Sequence, residues 1–532
     1  MTIMLGSVLA PICQTYECCL IGLIVAAIAY YFFSWRNSFN YWRGRHICGP
    51  KPFPIFGNLL SLSLNPRPLV ELEWYKKYGK IYGTYISGKP RLTVAVPELI
   101  KQILVKDFHT FRNRSTEKGA SSQRSRDENW RRVRAIVSPT FTSGKMRRMY
   151  PLISRCCEDF LNSVDRDVTN GMIEVELKRL MGAYTMDVIV SCAVATKTNT
   201  YADPNNPFTT RAFTFVNHPV WKGVLAMLLP SVIVNTNIYR RIVSHGSNER
   251  KFFNNFTRSL IQKRKENNEK HNDFLQLLMD AEIPDGDVRE ASDANEAHHV
   301  NEGRDEMAAN VEAFKGVLEK KLTEDEILAQ CFLFFTTGYE TTATTLSICT
   351  YELALNPGLQ DRLYGETKEA FNEKGEMDYD VLSRLPFLDA LLSETLRHYP
   401  LGLRLEREAM EDVMLGDTGV MIEKGVIVEI PVYAMHHDPD HYADPFTFNP
   451  DRFMPSNRGH IKPYTYLPFG SGPRHCIAMR FALLEVKVAL AKMSQRFRFS
   501  RVTATDVPIV FRKGQIILKP KPLVVGLQRR SK

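Results

Sequence analysis

The first strong feature in the hydrophobic pattern is a run without charge near the amino terminus. Residues 18–33 read CCLIGLIVAAIAYYFF, and residues 1–16 are also uncharged. A helix needs about 20 apolar residues to cross the hydrocarbon core of a bilayer, so residues 1–35 predict a transmembrane helix. Basic residues follow the run, whereas the amino terminus is the only basic group before it. This difference favours a cytoplasmic location for the rest of the chain. We interpret the run as an uncleaved signal anchor, with a cleaved signal peptide as the alternative.

A basic and proline-rich linker, residues 36–57, follows this anchor. Trp35, Tyr41 and Trp42 are of the amphipathic aromatic type found at membrane interfaces, and we expect them to lie at the membrane surface. The alternating prolines of residues 49–54 (GPKPFP) favour an extended, stiff segment. The pattern therefore predicts an anchor, a linker and a body formed by residues 58–532.

Within the body, apolar residues at helical spacing predict helices, and short apolar runs bounded by turn residues predict strands. The longest helix begins at the capping box Thr323 to Glu326 and ends at Asn356. Its middle, residues 331–335, is apolar on every face, so we expect it to cross the centre of the protein. Other predicted elements are helices at 69–78, 387–398 and 477–496, a basic helix from 129, and a strand pair at 81–87 and 91–96. These elements predict a mainly α fold with small sheets.

Two segments have patterns of another kind. Residues 208–239 include the run 220–230 (VWKGVLAMLLP), which is too short to span a bilayer and rich in interfacial residues. This run favours either a second membrane-contacting patch or a buried helix. Residues 285–315 are rich in Glu, Asp, Asn and Ala with few large apolar side chains, which predicts a solvated, mobile connection without chemistry.

Composition narrows the class of protein. The chain has 532 residues, of which 44% are hydrophobic and 24% charged, as in an ordinary globular protein. Ten cysteines in this length do not form a disulfide framework, and the pairs Cys18-Cys19 and Cys156-Cys157 lack zinc-ligand spacing, which favours a reducing compartment. The formal net charge of +10 suits an acidic protein partner or an anionic membrane. Nucleic acid is disfavoured because the basic residues are dispersed and no recognition motif accompanies them.

One cysteine stands in a glycine-rich loop, residues 469–478 (FGSGPRHCIA). Gly470 and Gly472 leave the backbone open around the sulfur of Cys476, and Arg474 lies two residues before it. The loop leads into a helix whose first amides and dipole favour a thiolate. We interpret Cys476 as a candidate haem ligand, with an inert buried cysteine as the alternative.

The long helix carries a second candidate site in residues 337–342 (TGYETT). Glu340 stands beside Thr341 after a glycine that weakens the helix. A buried carboxylate is costly unless it is bonded or used, and a threonine hydroxyl can bond the carbonyl one turn back. The pattern favours a small polar site inside a buried helix, with a polar kink without chemistry as the alternative.

Charged residues at helical spacing give two further candidates. Trp130 and Arg134 are four residues apart and share a helix face that can hold a carboxylate, unless they only form an exposed basic helix. Glu394 and Arg397 are three residues apart and can pair. Arg452, in the segment FNPDRF, is expected to reach back to Glu394 and close a charge network.

These motifs, in this order, resemble those of the cytochrome P450s, which are haem-thiolate monooxygenases, and specifically the membrane-bound animal type. Longer strings at 138–145 (SPTFTSGK), 182–189 (GAYTMDVI) and 404–407 (RLER) are similar to those of the drug- and steroid-oxidising family 3 enzymes and their relatives. The resemblance extends from the anchor to near the carboxyl terminus. It implies the cytochrome P450 fold, multihelical with small β-sheets.

The resemblance also implies residue roles. Cys476 is expected to be the axial ligand of the iron of haem b. The expected haem contacts are Arg114, Trp130, Arg134, Arg407, Phe469 and Arg474. Glu340 and Thr341 match the acid-alcohol pair that delivers protons during oxygen activation. Glu394, Arg397 and Arg452 match a structural triad needed for haem incorporation.

The implied reaction inserts one oxygen atom of O2 into an apolar steroid, lipid or xenobiotic. Electrons are expected from NADPH through an acidic flavin reductase, with cytochrome b5 as a further candidate partner, on the side of the haem where Cys476 binds. Basic residues expected at that contact are Arg131, Arg132, Lys145, Arg147 and Arg148. The expected location is the endoplasmic reticulum membrane, with the catalytic domain on the cytoplasmic side. Alternatives are an isomerase or dehydratase acting on peroxides without a reductase, and a non-catalytic membrane haem protein.

Two residues depart from the family pattern. Thr337 stands where many members have alanine, which affects the size of the pocket and the regioselectivity. Ala478 replaces the commoner glycine two residues after the cysteine, and we expect haem binding to survive this change.

Overall fold

The computed structural model describes residues 39–114, 127–168, 171–203, 205–217, 247–281, 304–317 and 321–530, together with Gly22. These residues form a mainly helical fold, as predicted. Its α-helices are α1 (Leu59–Leu64), α2 (Arg67–Tyr78), α3 (Pro97–Lys101), α4 (Asp127–Val137), α5 (Ser143–Asp167), α6 (Leu177–Val194), α7 (Pro207–Val216), α8 (Ser247–Asn267), α9 (Phe274–Met279), α10 (Arg304–Phe314), α11 (Glu324–Leu355), α12 (Pro357–Ala370), α13 (Tyr379–Ser383), α14 (Pro386–His398), α15 (Val432–His436) and α16 (Met479–Arg496).

Within the described residues, three small sheets accompany the helices. The strands are β1 (Ile81–Ile86), β2 (Lys89–Val94), β3 (Ile173–Glu176), β4 (Leu405–Glu408), β5 (Val413–Met414), β6 (Met421–Ile422), β7 (Ile427–Ile430), β8 (Phe497–Ser500) and β9 (Val524–Arg529). Their orders are β1-β2-β7-β4, β3-β9-β8 and β5-β6. β1 and β2 are antiparallel with Ile81 opposite Val94, so the predicted hairpin is confirmed, and β7 adds to β2 in parallel.

Helix α11 is the central rod of the fold. The Thr323 hydroxyl accepts a hydrogen bond from the Glu326 amide at 3.3 Å, and the Glu326 carboxylate accepts one from the Thr323 amide at 2.9 Å. The helix ends at the C-cap residue Asn356. Cys331 and Phe335 are fully buried, and the helix packs against α6 and α16. The predicted capping box, carboxyl end and central burial are therefore confirmed.

Trp42 was expected at the membrane surface, and the structure instead buries it in the core. Its side chain is 2% exposed. The indole Nε1 donates to the Thr84 carbonyl at 3.1 Å, and the backbone amide donates to the Tyr85 hydroxyl at 3.0 Å. The ring occupies space left by Gly83, where an added Cβ would lie 2.3 Å from it. Trp42 therefore contributes to the body rather than to a membrane contact.

The predicted anchor, residues 1–35, lies outside the described residues apart from Gly22. In the part of the chain that is described, no helix combines the length and the apolarity needed to cross a bilayer. The predicted membrane-contacting run at 220–230 also lies outside the described residues.

The prediction of a solvated, mobile connection at 285–315 is wrong for residues 304–315. Residues 304–314 form α10, and Glu306 in this helix is only 7% exposed. Alanine favours helix, and Asp305 and Glu306 in the first turn complement the helix dipole. Hydrogen bonds and ion pairs hold this segment against the rest of the protein. Its low hydrophobicity therefore does not indicate that it packs. Residues 285–303 lie outside the described part.

Candidate functional site

The loop of Cys476 is shaped by two glycines with left-handed backbone. Gly470 and Gly472 have φ of 77° and 71°. An added Cβ at Gly472 would lie 2.0 Å from the Leu104 carbonyl oxygen, so no other residue fits without a shift. The Cys476 amide donates to the Phe469 carbonyl at 2.9 Å, which closes the loop and brings the cysteine to the start of α16.

The thiol of Cys476 is subject to opposing influences. Burial raises its pKa, whereas the hydrogen bond from the Ala478 amide and the positive charges of Arg134 and Arg114 lower it. Ala478 is therefore compatible with an amide directed at the sulfur. Cys476 lines a small pocket that is partly open to solvent. The other residues lining this pocket are Arg134, Phe141, His475, Ile477, Met479 and Arg480.

Three guanidinium groups lie together beside this loop. Arg407 is 1% exposed, and its Nη1 donates to the Glu406 carbonyl at 2.9 Å. Burial and the positive charges of Arg114 and Arg474 all lower the pKa of Arg407. Among the described residues, the Arg407 Nε has no hydrogen-bond acceptor. Buried cations that repel one another are costly, so this cluster fits an anionic group such as the two propionates of haem.

The other predicted haem contacts converge on the same place. The Arg474 guanidinium lies 4.3 Å from the centre of the Trp130 ring, and Arg114 Nη2 donates to the Arg474 carbonyl at 2.9 Å. Arg134 lines the pocket one helical turn after Trp130. Phe469 contributes its carbonyl to the loop closure. A cysteine sulfur can bind the haem iron, and the surrounding cations can pair with the haem propionates. These residues therefore offer the groups that haem b requires.

Thr341 and Thr337 lie on one face of α11, one turn apart. Thr337 is exposed and Thr341 is partly exposed, whereas neighbouring residues of the helix are buried. The Thr341 hydroxyl donates to the Thr337 carbonyl at 2.7 Å. The helix is continuous here, so the structure shows no break at Gly338. This glycine is explained by packing, since its Cβ would lie 2.9 Å from the side chain of Ile189 in α6.

The Glu340 carboxylate lies in a buried environment beside two lysines, whereas Thr341 is partly exposed. The carboxylate is 3.3 Å from Lys178 Nζ and 3.6 Å from Lys519 Nζ, and Glu340 is 5% exposed. Burial lowers the pKa of Lys178 to about 8, although the negative charge of Glu340 opposes this shift. Burial also lowers the pKa of Lys519. The two lysines were missed from the sequence, because they come from α6 and the carboxyl-terminal segment and share no local pattern with Glu340.

Glu394, Arg397 and Arg452 form the charge network that their spacing suggested. Arg397 Nε lies 2.7 Å and Nη2 2.8 Å from the two Glu394 oxygens, and both residues are fully buried. Arg452 Nε lies 3.6 Å from Glu394 Oε1. Arg397 Nη1 also donates to the carbonyls of His436 and Pro445 at 2.8 and 2.9 Å. The network therefore ties α14 to the chain that leads into the cysteine loop.

The basic residues expected to contact a reductase differ in their exposure and in whether they already pair with other residues of the chain. Arg131 donates to the carbonyls of Ala313 and Lys315, and Arg132 pairs with Glu326. Arg147 is exposed and pairs with Asp380 at 2.5 Å. Lys145 is partly exposed and Arg148 is exposed. Arg131, Arg132 and Arg147 are thus already paired within the chain.

Comparisons with known proteins agree with this geometry. A model of the cytochrome P450 family matches residues 48–527. The chain is 35% identical over 521 residues to cytochrome P450 3A11 of Mus musculus, covering 96% of each protein. It is 36% identical over 499 residues to cytochrome P450 3A2 of Rattus norvegicus, covering 91% of this chain and 92% of that protein. It is 34% identical over 525 residues to cytochrome P450 3A7 of Homo sapiens, covering 96% of each.

Proposed function

Because the chain belongs to the cytochrome P450 family of haem monooxygenases, we propose that it oxidises an apolar steroid, lipid or xenobiotic with NADPH-derived electrons from a flavin reductase. One oxygen atom of O2 enters the substrate. The observation that carries the proposal is the Cys476 loop, with the cationic cluster of Arg114, Arg407 and Arg474 beside it. Cytochrome b5 is a further candidate electron donor.

The residues around the loop have distinct proposed tasks. Cys476 would bind the haem iron through its sulfur, and haem b, when bound, would supply the activation of O2. Arg114, Arg407 and Arg474 bind the propionates, and this removes the cost of their mutual repulsion. The remaining haem contacts in this proposal are Trp130, Arg134 and Phe469.

The proton route is proposed to run along α11. Thr341 has its hydroxyl on the partly exposed face of the helix, and Glu340 holds a carboxylate between two lysines on the buried side. We assign Thr341 the task of positioning the proton and Glu340 that of supplying it. Glu394, Arg397 and Arg452 take no part in the chemistry and hold the structure around the cysteine loop.

Replacing Thr341 with alanine is expected to lower substrate oxidation by about 100-fold, a typical contribution of positioned proton transfer. The measurement is product formed per haem with reductase and NADPH. The matched control is Thr336→Ala, which removes the same kind of intrahelical hydrogen bond, from Thr336 to the Phe332 carbonyl at 2.8 Å, at a buried position. Equal product formation by the two variants would exclude Thr341 from the proton route.

The membrane location is also a proposal. It rests on the uncharged run within residues 1–35 and on the basic residues that follow it in the linker 36–57. With this anchor the body, residues 58–532, lies on the cytoplasmic side of the endoplasmic reticulum. Deleting residues 1–35 is expected to weaken membrane attachment in flotation assays and to leave the spectrum of the reduced protein with carbon monoxide unchanged. Undiminished flotation of the truncated protein would contradict this arrangement.

The substrate class is tested by a product screen with reductase, NADPH and a panel of steroids, fatty acids and drug-like compounds. We expect oxidised products that depend on NADPH. A parallel reaction supplies an organic peroxide without reductase. Efficient peroxide rearrangement, with no NADPH-dependent product, would favour an isomerase or dehydratase instead.

A further inference from the structure

Helix α10 lies directly on the loop that carries Cys476. Glu306 Oε1 accepts hydrogen bonds from the Ser471 hydroxyl at 2.8 Å and from the Gly472 amide at 2.5 Å. Both donors belong to the glycine-rich loop, and Glu306 is 7% exposed. Hydrogen bonds to an ionised carboxylate are stronger than those between neutral groups. The first turn of α10 is therefore bound to the loop that we assign to haem ligation.

The two ends of α10 contact basic residues of α3 and α4. Asp305 lies 2.6 Å from Lys101 Nζ. At the other end, Arg131 Nε donates to the Ala313 carbonyl at 2.6 Å and Nη2 to the Lys315 carbonyl at 2.7 Å. The Phe314 ring lies 5.8 Å from the Trp130 ring, between centres. The basic surface around the cysteine loop is thus occupied by a segment of the same chain.

The chemistry that α10 presents to this surface is that of an acidic partner. Its amino-terminal turn offers carboxylates to Lys101 and to the loop amide, and its carboxyl end offers carbonyl oxygens with a partial negative charge to Arg131. A helix with its side chains is about 10–12 Å across, so a second protein cannot reach the loop while α10 covers it. The rate of electron transfer falls steeply with the distance between donor and acceptor. Coverage of the loop by α10 would therefore slow electron transfer.

We infer that α10 and an acidic electron-donor protein compete for one surface, formed by Lys101, Arg131 and the loop residues Ser471 and Gly472. The inference rests on the proposed function, which requires such a donor. The outer face of α10 is solvated, with Met307 49% and Val311 58% exposed. Because few apolar groups of α10 are buried, its release exposes little apolar surface. Release of α10 precedes electron transfer, and the strength of its contacts sets the rate of reduction.

The test measures the rate at which reductase and NADPH reduce the full-length holoprotein, followed as formation of the carbon monoxide complex by stopped flow. Glu306→Gln removes the charge that faces the loop but keeps an acceptor oxygen. Phe314→Ala removes the contact with Trp130 at the other end of the helix. Glu312→Ala is the matched control, since Glu312 lies on the outer face of the same helix and is exposed. Haem content and the carbon monoxide spectrum establish that each variant is intact.

Both α10 variants are expected to be reduced about fivefold faster than the wild type. This factor corresponds to a loss of ~1 kcal/mol in the free energy with which α10 binds to the loop surface. The Glu312→Ala rate is expected to equal that of the wild type. Reduction by dithionite, which needs no docking, should be the same in all four proteins. Rates equal to or below the wild-type rate in both α10 variants would contradict the inferred competition. The reductase would still stand as the electron donor in that case.

A second measurement needs no variant. Hydrogen exchange of the wild-type holoprotein is followed with and without saturating reductase, and the amides of residues 304–314 should exchange faster in the complex. Slower exchange would overturn the inference, because it would place α10 inside the interface as part of the docking site. If reductase reduces none of the four proteins, the proposed electron source itself is wrong and the competition is rejected with it.

Discussion

Replacing Cys476 with serine should abolish the long-wavelength Soret band that the reduced protein gives with carbon monoxide. This band requires a thiolate ligand, and a serine hydroxyl lacks the electron donation of a thiolate. Substrate oxidation should be lost together with the band. The measurement is the carbon monoxide difference spectrum of purified protein, normalised to folded protein by circular dichroism.

Cys156→Ser is the matched control for this change. Cys156 is also partly exposed, and its Sγ lies 3.3 Å from the Ser191 hydroxyl, so serine can take its place in a polar contact. Burial raises the pKa of Cys156 to about 11, which keeps it a thiol at neutral pH. The control should retain the full band. A Cys476→Ser protein that kept the band would show that another group is the ligand.

Replacing Arg397 with alanine should leave little haem-containing protein. Arg397 and Glu394 are both fully buried, and removal of one partner leaves an uncompensated charge inside the protein. Breaking a buried ion pair costs about 3–5 kcal/mol. Domains have a total stability of about 5–15 kcal/mol, so this loss is a large fraction of it. The measurement is the haem-to-protein ratio after purification, with the urea midpoint of unfolding.

Two further variants separate this effect from a general loss of charge. Arg362→Ala breaks an exposed pair with Asp451, where Nη2 and Oδ1 are 2.8 Å apart, and such pairs contribute about 0–1 kcal/mol. Arg397→Lys keeps the charge but loses the planar fork that reaches both Glu394 oxygens, and we expect an intermediate haem content. Normal haem content in Arg397→Ala would show that the buried network is not needed for haem incorporation.

Local patterns were sufficient for several parts of the fold. The capping box at Thr323 and Glu326 predicted where α11 begins, because both groups needed for it lie within one turn. The pair Glu394 and Arg397 was predicted from helical spacing for the same reason. The glycines around Cys476 marked the loop because positive φ favours that residue type.

Contacts between distant parts of the chain leave no local pattern in the sequence. Lys178 and Lys519 reach Glu340 only through the packing of α6 and the carboxyl-terminal segment against α11. Trp42 is buried because Gly83 leaves space beside it, which no local signal reveals. Helix α10 has no apolar pattern that would indicate packing, because charges and hydrogen bonds bind it to its neighbours.

The central proposal, that this haem monooxygenase receives its electrons from a reductase and inserts one atom of O2 into its substrate, is tested most directly by isotope incorporation. The purified protein is incubated with reductase, NADPH, 18O2 and a substrate identified by the product screen, and the product is analysed by mass spectrometry. The account predicts one 18O atom in each product molecule and no product without NADPH. Product oxygen that comes from water, or product formed equally well without NADPH, would contradict it.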